Sequence, residues 1–129
     1  MNETIPIMIN GGFRDIRRDW WDELIGPKPP KRFDNDGCTL AFDYWHGLMV
    51  WPACVIHDWH YSAQIEREVA NPPSRFMSDY AFFMNTYKIL RLQEVGRVRA
   101  IAHATKRLVA VRKLGKEHFR RKVRHDQGR

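Results

Sequence analysis

Trp51-Pro52-Ala53-Cys54-Val55-Ile56-His57-Asp58-Trp59-His60-Tyr61 is the stretch on which the reading of this chain turns. Proline is well placed in the first turn of a helix, where its missing N–H would have found no intrahelical acceptor. No proline or glycine follows until Pro72, so the pattern predicts a helix from Pro52 to about Glu68. On such a helix His57 and Tyr61 share a face, and Asp58 lies about 100° round the axis. Three groups able to handle protons thus stand among Val55, Ile56 and Trp59, unusual company for a core.

Working outward, Asn71-Pro72-Pro73-Ser74 ends that helix and caps another, expected from Arg75 to Leu92 with Phe76, Phe83, Tyr87 and Leu90 as its packed stripe. Asp79 sits in this second helix among Phe76, Met77, Ala81, Phe82 and Phe83. A carboxylate in such surroundings points inward and needs a partner. The short connection makes the two helices antiparallel neighbours. Asp79 then reaches His57, holds one ring nitrogen as a protonated donor and leaves the other as a base. Tyr61 reads equally as a member of this proton-handling set and as a buried hydrogen-bonding strut.

A third long helix is expected from Arg97 to Gly115, with Val98, Ile101, Thr105, Leu108 and Val109 buried, and with Arg97, Arg99, Lys106, Arg107 and Lys113 facing outward. At the other end of the chain, Ile5 to Ile9 reads as a strand stopped by Asn10-Gly11-Gly12. Phe13, Ile16, Trp20, Trp21 and Leu24 then recur at helical intervals, predicting a helix from Phe13 to Ile25. Pro27 to Thr39, with three prolines and Asp34-Asn35-Asp36-Gly37, reads as an ordered loop. The expected fold is therefore mainly α, one domain over residues 1–115 with minor β structure near the N-terminus. A basic tail, 116–129, follows, in which only Phe119 and Val123 offer apolar anchors, and it is expected to add little to folding.

The chain has 129 residues with 43% apolar content, the size and make-up of a single modest core. Through Gly96 there are 10 Lys and Arg against 13 Asp and Glu; from Arg97 onward there are 12 against 2. That asymmetry suggests an anionic partner, whether nucleic acid, membrane headgroups or an acidic protein face, met by Lys116, Arg120, Arg121, Lys122 and Arg124. Two cysteines, Cys38 and Cys54, are too few for a disulfide framework; a single bridge is arithmetically open, and two reduced buried thiols is the plainer expectation. No secretory signal and no membrane-spanning apolar run is visible, which points to a soluble intracellular protein. His46, His57, Asp58 and His60 are zinc-ligand types, but neither HExxH nor paired CxxC spacing is present.

The run from Pro52 to Tyr61 resembles the HDxxY helix of phospholipase A2 enzymes, and the 22-residue step from His57 to Asp79 is similar to that of the phospholipase domain of parvoviral capsids. Phe33 to Thr39, taken with His57-Asp58 and Ser78-Asp79, also resembles a short phage-encoded family of unknown function. The likeness spans Phe33 to Gly115. What it implies is a phospholipase A2-like antiparallel helix pair in which His57 activates water, Asp79 orients His57, and Asp58 binds calcium with carbonyls near Asp36-Gly37. It also implies a phage protein of the host cytoplasm or the virion. The chain departs from the family in two places: only Gly47 lies between Leu40 and Trp51, where those enzymes carry a glycine-rich calcium loop, and His60 stands where disulfide-rich members have a cysteine.

Two functions follow. One is a lipid-ester hydrolase whose basic tail grips anionic headgroups, with Trp20, Trp21, Trp45 and Trp51 placed either at an interface or in the core. The other is a non-catalytic virion or accessory protein that uses the fold as a scaffold and binds nucleic acid, a phage structural protein or an acidic partner through its basic end.

Overall fold

The computed structural model describes residues 3–31, 33 and 44–120, of which 56% are helical and 15% are in strands. Strands β1, Thr4–Ile9, and β2, Gly12–Arg17, form an antiparallel hairpin with Ile9 opposite Gly12. Its two-residue turn is Asn10-Gly11, both with positive φ (50° and 79°), the conformation that matches the twist of the strands and that asparagine and glycine adopt most readily. Because that turn returns the chain at once, Phe13 to Arg17 pairs as a strand, and the expected helix shrinks to α1, Arg18–Glu23. Ile7, Ile9 and Ile16 nevertheless reach the core, with Trp21 and Leu24 beside them.

A second small hairpin, β3 at Tyr44–Trp45 and β4 at Leu48–Met49, turns on His46 and Gly47, again with positive φ. It leads into α2, Trp51–Tyr61, with Pro52 in the first turn as its sequence requires. Nine of the eleven residues of α2 are buried, so this is the central helix of the fold. It stops at Tyr61 rather than Glu68. Ser62 is extended and its hydroxyl donates to the Trp59 carbonyl at 2.8 Å, a side-chain bond that competes with helix continuation. A short helix α3, Ile65–Glu68, then seats Ile65 in a satellite cluster with Phe33 and Trp59.

Helix α4, Arg75–Leu92, begins at Ser74, whose Oγ accepts from the Met77 N–H. It packs on α2 in the opposite sense: His57 and Tyr61 meet Asp79, Ala53 and Cys54 cluster with Phe82, and Trp51 and Val55 share the main core with Ile89 and Leu90. Helix α5, Arg97–Leu114, lies against α4.

Both long helices are turned relative to their expected faces. In α4 the buried set is Ser78, Asp79, Ala81, Phe82, Asn85, Thr86, Ile89 and Leu90, while Phe76 and Tyr80 are exposed and Phe83 and Tyr87 half-buried. The interior polar groups of that set are satisfied. Ser78 and Thr86 donate to carbonyls one turn back, and Asn85 clamps Ile25 through both its N–H and its C=O, which fixes the chain after α1. In α5 the buried residues are Ala100, Ala104, Arg107 and Val111; Val98 is 82% exposed, and Ile101 and Val109 also face outward. Alanine on the inner face allows a closer helix–helix approach than valine or isoleucine would.

The start of the tail also departs from expectation. Gly115 closes α5, with its N–H on the Val111 carbonyl, and a Cβ there would meet the Tyr61 hydroxyl at 2.8 Å. After a single 3-10 turn, Lys116–His118, the Phe119 ring packs edge-on against Tyr61 at 5.0 Å. Arg120 follows with its N–H on the Tyr61 carbonyl and its guanidinium on the carbonyls of His60 and Pro73. Arg120 therefore caps the end of α2 instead of offering its charge to a partner. Lys116 is exposed; Arg121, Lys122 and Arg124 lie outside the described residues, as do Cys38 and Gly37.

Candidate functional site

Asp79 is fully buried, and its two oxygens collect three donors from two other helices. His57 Nε2 is 2.8 Å from Oδ1, the Tyr61 hydroxyl donates to the same oxygen at 2.7 Å, and Arg112 Nη1 donates to Oδ2 at 2.8 Å. The i, i+4 spacing of His57 and Tyr61 puts both over one carboxylate. Tyr61 in turn accepts from Arg75 Nε at 3.2 Å, and Arg75 Nη2 donates to the carbonyls of Val111 and Arg112. A cation at the C-terminal carbonyls of a helix is favourably placed, so Arg75 joins the start of α4 to the end of α5.

The charges follow from these contacts. Burial works to raise the Asp79 pKa, but the hydrogen bonds from His57, Tyr61 and Arg112 outweigh it and hold the carboxyl below its ordinary value. For His57, burial is the largest influence and lowers the pKa; Asp79 pulls it back upward without cancelling the fall. Burial and the neighbouring carboxylate raise the Tyr61 pKa, so its phenol keeps its proton. At neutral pH the cluster is thus an aspartate, a neutral imidazole, a neutral phenol and an arginine. An ionised carboxylate is acceptor-only, which makes Nε2 the protonated nitrogen and leaves Nδ1 with its lone pair. No hydrogen bond to Nδ1 is made among the described residues. The ring stacks on Phe82 at 4.4 Å, lies 4.3 Å from Tyr61, and keeps 12% of its side-chain surface accessible.

Asp58 is half-buried on the same helix and has an interaction partner of its own. Calcium takes six or more oxygen ligands. Asp58 is a single carboxylate, and no group of three or more His, Cys, Asp or Glu that could hold a metal assembles among the described residues. Gly37 falls outside them. His60 turns away from His57: its Nε2 donates to the Pro27 carbonyl at 2.9 Å, and burial lowers its pKa to about 4. Its other nitrogen, Nδ1, is buried and has no hydrogen-bond partner among the described residues. Gly26, at φ +91°, makes room for the ring, since a Cβ there would come within 2.5 Å of it.

The sequence therefore placed His57, Tyr61 and Asp79 together, and the structure joins them; it missed Arg112 and Arg75. The one available signal for Arg112 was the need of an interior carboxylate for a cation, which does not say which of many basic residues supplies it. Cys54 is disulfide-bonded, a correction to the expectation of reduced thiols, and its sulfur receives Arg107 Nη1 at 3.4 Å. Cys38 is the other cysteine of the sequence. No helix among the described residues is long and apolar enough to cross a membrane.

No family model, no curated protein and no solved structure matches the chain.

Proposed function

We propose that the His57–Asp79 pair is the base of a hydrolase acting on a lipid ester, on a phospholipase A2-like helix pair in a phage-encoded protein of the host cytoplasm or virion. The observation that supports this reading is the imidazole held at Nε2 by a buried carboxylate, with its second nitrogen unengaged. In the proposed reaction Nδ1 removes a proton from water as the water oxygen attacks the ester carbonyl. The imidazolium that forms is stabilised by Asp79. The C–O bond to the alcohol breaks as the tetrahedral intermediate collapses, and Nδ1 returns the proton to the leaving oxygen. Arg112 keeps Asp79 ionised, so that the carboxylate orients the ring and does not itself take the proton. Tyr61 holds Oδ1 in place from the other side.

The test is release of fatty acid from mixed phospholipid vesicles, with and without calcium. His57→Ala is expected to lower the rate by about 10²–10⁴-fold, the usual contribution of a positioned base. A second reading rests on the saturation of Asp79 and the low accessibility of His57: the cluster is a strut that ties α2, α4 and α5, in a scaffold whose basic end holds nucleic acid, a phage structural protein or another acidic partner. Folded parent protein that releases no fatty acid under either condition favours that reading.

A further inference from the structure

At the far end of α4, an open cleft of about 360 Å³ is lined by Tyr87, Lys88, Arg91 and Leu92, by Arg97 at the start of α5, and by Glu23 of α1. It lies 8 to 13 residues beyond Asp79, on the order of 12–20 Å along the helix axis, and shares no residue with the His57 cluster. The Asn85 clamp on Ile25 is what brings α1, and Glu23 with it, against this end of α4.

Three cations face one carboxylate here, a local charge of +2. Arg91, which lines the cleft, donates from Nη1 to the Val95 carbonyl at 2.8 Å, a bond that uses one of its five N–H donors. Among the described residues Lys88 and Arg97 make no side-chain ion pair or hydrogen bond, with Glu23 or any other group. Like charges gathered with a single counter-charge among three repel one another, and a concave wall concentrates their field. The Tyr87 ring and Leu92 add an apolar wall, and the volume is at the small end of ligand pockets.

We propose that this cleft binds a phosphate monoester: the dianion matches the excess of two charges, Lys88, Arg91 and Arg97 supply its donors, and the organic substituent lies along Tyr87 and Leu92. Arginine's fork and lysine's point charge are the usual phosphate partners. The phosphate arises either from a soluble metabolite or from a lipid headgroup, and both present the same chemistry to the cleft.

The test is titration of the full chain, followed by amide NMR and calorimetry, with sn-glycerol 3-phosphate in solution and, in parallel, co-sedimentation with phosphatidate vesicles against phosphatidylcholine vesicles. Binding in either anionic arm is expected to weaken about tenfold in Lys88→Gln and in Arg97→Gln, each of which removes one charge-assisted contact. Glu23→Gln is expected to tighten it several-fold, because it removes the one repelling charge. That opposite sign keeps the proposal open to refutation even where a cation variant folds poorly. Response to glycerol phosphate assigns a soluble ligand, and response to phosphatidate alone assigns a headgroup. No binding in either arm, or binding that all three substitutions leave unchanged, overturns the proposal.

Discussion

Helices α2 and α5 are of comparable regularity in the sequence, yet the first packs as its pattern predicts and the second is turned nearly inside out. In α2 almost every residue is buried, so no choice of face arises and the i, i+4 spacing of His57 and Tyr61 translates directly into a shared partner. In α5 two faces compete. One carries Val98, Ile101 and Val109; the other carries Ala100, Ala104 and Val111, with Arg107 among them. Apolar content favours the first face as the core, but the second is the one that packs. A central helix can be read from its own residues, whereas a peripheral helix is read correctly only with its neighbour in hand.

Several substitutions break or sharpen this contrast. Asp79→Ala strips the partner from His57, Tyr61 and Arg112 at once and should cost about 3–5 kcal/mol in denaturant unfolding, as expected for one member removed from a buried ionic cluster. Next in size is the effect of acid. Buried neutral His60 has its pKa lowered from 6.5 to about 4, so the unfolded chain binds the proton first; its contribution is complete above pH 6.5 and is lost as pH falls toward 4. That loss is on the order of 3 kcal/mol for His60, by the linkage relation. His57 and His103, also lowered, act in the same direction. Unfolding followed between pH 7 and pH 4 measures it. Ala104→Leu, on the inner face of α5, should overpack the helix contact and cost about 1–3 kcal/mol. Val98→Ser, on the outer face, should stay within about 0.5 kcal/mol. If the serine variant is the more damaging of the two, α5 packs by the face its composition suggests.

The legible parts of the fold share a physical cause. Pro52 and Ser74 mark helix starts through local chemistry, and Asp79 among aromatics declares an interior carboxylate because the cost of leaving it unpaired is high. The parts misread depended on long-range geometry. Phe13 to Arg17 has helical spacing, yet the Asn10-Gly11 turn commits it to pairing with β1. Arg120 looked like a free surface charge, but the unmatched carbonyls at the end of α2 recruit it. Arg112 is 33 residues from Asp79 and carries no local mark that separates it from Lys113. Phe76 appeared to be a core position; the interior it would have filled is occupied by hydrogen-bonded Ser78, Asn85 and Thr86.

An oriented base at His57 requires one tautomer and one charge, and histidine side-chain ¹⁵N NMR reads both. In the parent protein at neutral pH, His57 is expected to show a protonated Nε2 and an unprotonated Nδ1, with a pKa below 6.5. Asp79→Asn keeps the shape of the side chain and removes the charge that favours imidazolium, so the His57 pKa should fall further. A protonated Nδ1 in the parent, or a His57 pKa that stays level or rises in Asp79→Asn, would show that the pair is not an oriented base and would remove the chemical basis of the hydrolase reading.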